Sequence, residues 1–214
     1  NKIENELESL IRLKHLKDSN SEIRALAYNL YENNGVVKRE KVKSIIDKLE
    51  QSERKILRDA GVKFGRYHIF LYKLFKPSSV SLRIMLWKNF YQKFYDLKPP
   101  IFGLNFFEIN QNSNKNFMLL CGFENFGKIF VRIDILERLF LMILNSNKNI
   151  SDKRKEIKIV ADMLNLLGCK KESFVKLLKL MNYKTFEKDK DIYFKYMPTN
   201  KSFKSNKKNT NFID

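Results

Sequence analysis

Residues 61–71 read Gly-Val-Lys-Phe-Gly-Arg-Tyr-His-Ile-Phe-Leu, and the groups able to do chemistry there are Lys63, Phe64, Arg66, Tyr67 and His68. Cations interleaved with aromatic rings suit a single nucleic-acid strand, because ammonium and guanidinium groups meet phosphates while ring faces stack on bases. The same pattern describes a core strand whose rings are buried and whose cations extend outward along the surface. His68 alone in this group could move a proton. A general base needs a partner to orient its ring, and no carboxylate neighbours His68 in sequence, so the residues favour a structural histidine. His15, the other histidine, falls on the solvent face of the first helix and reads as inert.

A second cationic group lies near the C-terminal end. Lys170 and Lys171 open a helix, and Lys176 and Lys179 follow on its outer face. Helix N–H groups and lysines together hold phosphate, although exposed lysines are commonly only solvated. One apparent motif is misleading. Gly122 to Lys128 satisfies most of the phosphate-cradling pattern G-x-x-x-x-G-K-[ST], but Ile129 stands where a hydroxyl must reach Mg²⁺. Lys128 also opens a β-rich run, whereas a phosphate loop must open a helix. A hairpin turn explains these glycines. Cys121 and Cys169 lack metal-ligand spacing, which excludes a zinc cluster. The residues assemble no nucleophile-and-base arrangement, so neither a catalytic residue nor a cofactor or metal site is expected in this segment.

The elements that must position these groups are mostly helical. Apolar residues keep helical spacing to about Lys17, and Ser19 with Glu22 forms a capping-box pattern for a helix through Asn33. Further helices are expected over 41–50 and from Ser52 to Gly61. Val62 and Phe64 then alternate on one parity and Tyr67, Ile69 and Leu71 on the other, which predicts a strand bulged at Gly65. Pro77 suits the first turn of a helix that Pro99 and Pro100 have ended. Residues 1–100 therefore read as a helical accessory domain with a central turn-strand at 61–72, and the Asn-rich 101–116 as a linker. Beyond it, 117–121 and 128–132 are expected to pair as a hairpin, and Asp134 with Glu137 to cap a helix. Residues 159–196 give helix, glycine turn, helix and hairpin, the order of a winged helix. The expected class is α+β, mainly α with small β elements: a helical bundle, a hairpin and a winged-helix-like portion within 117–197. Residues 198–214, with Lys201, Lys204, Lys207 and Lys208, read as a basic disordered tail.

Composition agrees with an anionic partner. The formal charge is +18 in 214 residues, and 43% hydrophobic residues suffice for a real core. The longest wholly apolar run, Leu139 to Leu144, is too short to cross a bilayer. With no signal-peptide profile and no Met at Asn1, the chain reads as cytoplasmic and as a piece of a longer polypeptide.

Several longer phrases carry a resemblance. They are Arg24-Ala25-Leu26-Ala27-Tyr28 through Val36, Gly61 to Leu71, Leu74-Phe75-Lys76-Pro77, Leu82-Arg83 to Leu86-Trp87, Val131 to Leu139, and Leu166-Leu167-Gly168-Cys169 to Tyr183. In that order they resemble the region following the motor domains in bacterial, chiefly alphaproteobacterial, relatives of the mitochondrial degradosome RNA helicase. Tyr72 departs from the pattern, which has a proline there. The resemblance implies a superfamily-two ATP-dependent helicase with two RecA-like motor domains upstream, where ATP and Mg²⁺ would bind, and this segment as its noncatalytic accessory end. It implies single-stranded nucleic acid, RNA more than DNA, as ligand, and an exoribonuclease as a further partner. Two other readings stand beside it. One is a scaffold that docks a motor or exoribonuclease without touching the strand; the other is a standalone winged-helix DNA-binding protein.

Overall fold

Asn20 accepts a hydrogen bond from the Ile23 N–H and so opens the helix Ser21–Glu32. The cap is thus Asn20; Ser19 lies outside the described residues. A computed structural model describes residues 2–18, 20–92, 95–110, 113–148 and 156–197. Two short helices, α1 (Lys2–Glu6) and α2 (Glu8–Lys14), precede that helix, which we number α3. Next come β1 (Val36–Lys38), α4 (Lys43–Lys48), α5 (Gln51–Asp59) and a hairpin of β2 (Val62–Phe64) and β3 (His68–Leu71). Helix, strand, two helices and a hairpin, with sheet order β1-β3-β2, is winged-helix topology.

The order then recurs twice, with one helix in place of two before the hairpin of the second unit among the described residues. In the second unit α6 (Pro77–Phe90) leads to β4 (Phe106–Glu108), α7 (Lys115–Leu120) and the hairpin β5 (Phe123–Phe126) and β6 (Ile129–Arg132). The third runs α8 (Ile133–Lys148), β7 (Ile157–Lys158), α9 (Ala161–Leu167), α10 (Lys171–Leu180), β8 (Tyr183–Lys188) and β9 (Asp191–Tyr196). Sheet orders β4-β6-β5 and β7-β9-β8 match the first. Each hairpin is entered through a left-handed residue just after its helix: Gly61, Gly122 and Asn182, at φ of 98°, 91° and 65°. A chain leaving a helix must reverse there to start the wing, and glycine or asparagine tolerates that turn.

The α+β class and the winged-helix order at the C-terminal end are as expected. Three local expectations are corrected. Residues 62–71 are not one bulged strand but two strands, closed by a Gly65 N–H to His68 carbonyl bond of 2.8 Å. The segment 101–116 is not wholly a linker, since β4 pairs with β6 in register Phe107↔Phe130. Residues 117–121 are not a strand but most of helix α7, which Asn114 caps at the Phe117 N–H. A short apolar run without alternation fits either element, and the asparagine cap decides it. The hairpin here is 123–126 with 129–132, and its turn holds Gly127, so the phosphate-loop reading is excluded as expected.

The units stack through the outer faces of their sheets. Val36 and Phe70, on the face of the first sheet turned from its own helices, bury against Ile133 at the start of α8. Ile129 and Val131 on the second sheet pack into the core of the third unit with Leu136, Leu139, Met163 and Leu177.

Candidate nucleic-acid interface

The turn between β2 and β3 is held by a carboxylate from another unit. Glu137 on α8 accepts from the backbone N–H groups of Arg66, Tyr67 (2.8 Å) and His68 (3.0 Å). Three N–H dipoles converging on one carboxylate form an anion-binding concavity that its own chain fills. Gly65 makes the approach feasible: a Cβ there would sit 2.3 Å from the Glu137 carboxyl carbon. Glu137 therefore does not cap its helix as the sequence pattern suggested. Asp134 is also occupied, by the Arg132 guanidinium at 2.7 and 3.0 Å.

His68 is buried, 1% exposed, which removes it from any strand-contacting role. Its Nε2 lies 2.6 Å from Glu124 on the second wing, and its Nδ1 lies 3.7 Å from Glu137. Lys38 faces His68 across β1 and β3 and donates to the other Glu124 oxygen at 2.7 Å. The reading as a structural histidine holds, with the carboxylate partners supplied by distant sequence. Burial works against the imidazolium, yet the hydrogen bond to Glu124 and the nearby charges of Glu124 and Glu137 outweigh it and hold the His68 pKa above its ordinary value. Burial likewise opposes charge on Glu124, but His68 and Lys38 keep its carboxyl below the usual range.

These shifts fix a pH dependence. A raised histidine pKa contributes stability in full below the unfolded value of 6.5, and that contribution is lost as pH rises through the folded value. The depressed Glu124 contributes above 4.5 and is lost as pH falls through its folded pKa. Stability from this junction is therefore greatest between the two ranges. Urea midpoints measured from pH 6 to pH 9 are expected to decline in the parent and to decline less in His68→Asn; parallel curves would refute the assignment.

The remaining cations of the wing line a groove of about 570 Å³ between the first wing and α8. Lys63 and Arg66 are exposed in it, joined by Arg39 and by Arg138 from α8. Phe64 and Phe140 supply ring surface, and the Arg66 guanidinium stands 5.7 Å from the Phe140 ring centre. Its two carboxylates, Asp134 and Glu137, are the ones already engaged. Tyr67 does not share this surface. It is half-buried against the third core, edge-on to Phe140 at 5.7 Å, and burial raises its pKa. On the other side of the turn a second hollow of about 600 Å³ carries Lys38, Arg39, Lys43 and Arg66, but also Glu40, Asp47 and Glu124. The mixed charge makes it the poorer phosphate site.

On α10, Lys170, Lys171 and Lys179 make no ion pair among the described residues, while Lys176 comes within 3.8 Å of Glu108. Burial pushes the Cys121 thiol up to about 12 and Cys169 to about 11, so neither is a nucleophile at neutral pH. Among the described residues no cluster of metal-ligating side chains occurs, and no helix is long and apolar enough to cross a membrane. The tail lysines at 201–208 lie outside the described residues. Sequence reasoning missed Arg39, Arg138 and Phe140, whose link to the wing is visible only once the units are stacked. No protein-family model, curated protein or solved structure matches the chain.

Proposed function

We propose that this chain is a noncatalytic accessory region of an ATP-dependent helicase, which holds single-stranded nucleic acid, RNA more than DNA, and braces motor domains elsewhere in the polypeptide. The groove carries the binding reading: four cations, Arg39, Lys63, Arg66 and Arg138, flank two rings, while Asp134 is paired with Arg132 and Glu137 is turned to backbone N–H groups. Such a surface, with four cations against two carboxylates, attracts phosphate and offers π faces. The helicase context rests on the sequence resemblance. Doubling Arg66→Ala with Arg138→Ala is expected to weaken a fluorescein-labelled oligouridylate at least tenfold in anisotropy titrations. It would also flatten the slope of log K against log salt by about 1.4, two phosphates at roughly 0.7 each. Unchanged affinity would overturn the binding reading, and ATP turnover by this chain alone would overturn the accessory one.

The scaffold reading draws on a separate observation. Phe90 at the end of α6 and Tyr95 and Ile101 before β4 are 77%, 72% and 78% exposed, bare apolar surface suited to a protein partner. Binding of oligouridylate with this belt intact but the groove mutated decides between them.

A further inference from the structure

In the first two units the outer face of the sheet is covered: Val36 and Phe70 pack on Ile133 of α8 while Lys38 and His68 pair with Glu124, and Ile129 and Val131 enter the third core. The third sheet departs from that rule. Its inner face buries Tyr183 and Phe194 against α10, with Phe194 edge-on to Phe174. Its outer face, by strand alternation and the register Lys184↔Lys195, Phe186↔Tyr193, Lys158↔Tyr193, carries two rings among lysines. Phe186 and Tyr193 stack across the strands, 6.1 Å between centres and 16° between planes. Lys188 stands over both rings at 5.5 and 5.8 Å, and Lys195 over Phe186 at 5.9 Å.

We infer that this outer face is a second binding surface for single-stranded nucleic acid, distinct from the groove, with Phe186 and Tyr193 stacking a base and Lys184 and Lys195 meeting the flanking phosphates. Charge and shape support this occupant over the alternatives. Asp191 is taken by Lys158 and Glu156 by Lys188, which leaves Asp189 at the hairpin tip and Glu187 on the opposite face as the nearby acids without an ion pair among the described residues. Lys184 and Lys195 have no ion pair among the described residues. The rings hold neighbouring ammonium groups in place by cation–π contact, which lowers the ordering cost when phosphate arrives. The chain's own continuation is ill-suited to cover the face: residues 198–214 bring Lys201, Lys204, Lys207 and Lys208 against Asp214 as their one acidic side chain. A fourth stacked unit would have to cover Lys184 and Lys195, which have no carboxylate partner among the described residues, whereas Lys38 in the earlier interface has Glu124.

The inference shares its ligand class with the proposed function but not its residues, and anisotropy titration of the full chain with a labelled 20-nucleotide oligouridylate separates them. Phe186→Leu with Tyr193→Leu keeps bulk and removes the π faces; binding is expected to weaken about tenfold. Lys184→Gln with Lys195→Gln leaves the rings and should flatten the salt slope by about 1.4. Both pairs lie on the solvent side, and circular dichroism melting checks the fold. If the leucine pair does not fold, the glutamine pair still decides. Affinity within twofold of the parent in both would overturn this site, whatever the Arg66/Arg138 pair does. Loss in these variants with none in Arg66/Arg138 would uphold it and overturn the groove. Polyglutamate displacing the oligonucleotide equally well, at equal charge, would also overturn it, because a plain anion patch needs no rings.

Discussion

Glu137→Ala is expected to lower the unfolding free energy by about 3–5 kcal/mol, because it strands three converging backbone donors and removes a buried charge that they satisfy. The carboxylate is mostly buried, and no neighbouring side chain can replace its bonds to Arg66, Tyr67 and His68. Glu137→Gln should cost less, since the amide oxygen keeps one or two acceptor sites while its NH₂ opposes the third donor. Urea titration followed by the fluorescence of Trp87, the single tryptophan, measures both. The sharper test is a double-mutant cycle with Gly65. Its φ is not in the left-handed region, so Gly65→Ala should be harmful only because its Cβ would collide with the Glu137 carboxylate. Alanine at 65 is therefore expected to cost about 2 kcal/mol in the parent and close to nothing beside Glu137→Ala. Equal costs in the two backgrounds would show that the glycine serves something other than this carboxylate.

This carboxylate also marks where the sequence ceases to be informative. Periodicity locates α3, α5, α9 and α10 and the last hairpin, although α3 and α5 are capped by Asn20 and Glu50 where the sequence pattern points to Ser19 and Ser52. The Asp134/Glu137 pair fits a local capping pattern equally well, and only the partner 70 residues away shows that Glu137 serves the first wing. His68 presents the same difficulty. Its role as a structural residue is legible from the lack of nearby acids, but Glu124, the group that charges it, is not. The repeat was partly hidden for a related reason. The second unit keeps the topology while packing phenylalanines into its own core, Phe107 stacked on Phe130 at 5.1 Å, so its apolar runs do not repeat those of the others. Lys63, Phe64 and Arg66 line one groove, as their spacing allowed, but half of that groove comes from α8 and Arg39.

The stacking of the units explains why residues 61–87 are so distinctive. Gly65 admits a carboxylate from the third unit, His68 receives one from the second, and Phe70 packs on Ile133. Specificity of this kind orients Arg66 and Lys63 along the groove and fixes Arg138 opposite them. Preorganised cations lose less freedom on meeting a strand than lysines on a mobile loop. A structural junction can thus set affinity without touching the ligand.

Arg83 completes that junction, and its replacement is the second change with a large expected effect. The side chain is 1% exposed on α6, donating to the Asn34 carbonyl at 2.9 Å and the Leu74 carbonyl at 2.7 Å. Asn34 is left-handed, at φ 53°, in the turn that ends α3, and Leu74 sits in the single helical turn after β3. A cation at carbonyls freed by helix ends satisfies both the acceptors and the dipole. Burial pushes the guanidinium pKa down to about 10, which leaves it charged at neutral pH. Arg83→Met matches the length of the stem but abandons two buried carbonyls, and is expected to cost about 3–5 kcal/mol. Arg83→Lys keeps the charge yet cannot span both acceptors from one planar fork, so an intermediate loss follows. If methionine were tolerated within about 1 kcal/mol, both carbonyls would have to find water, and Glu124 with its His68 and Lys38 partners would carry the polar link between the first two units.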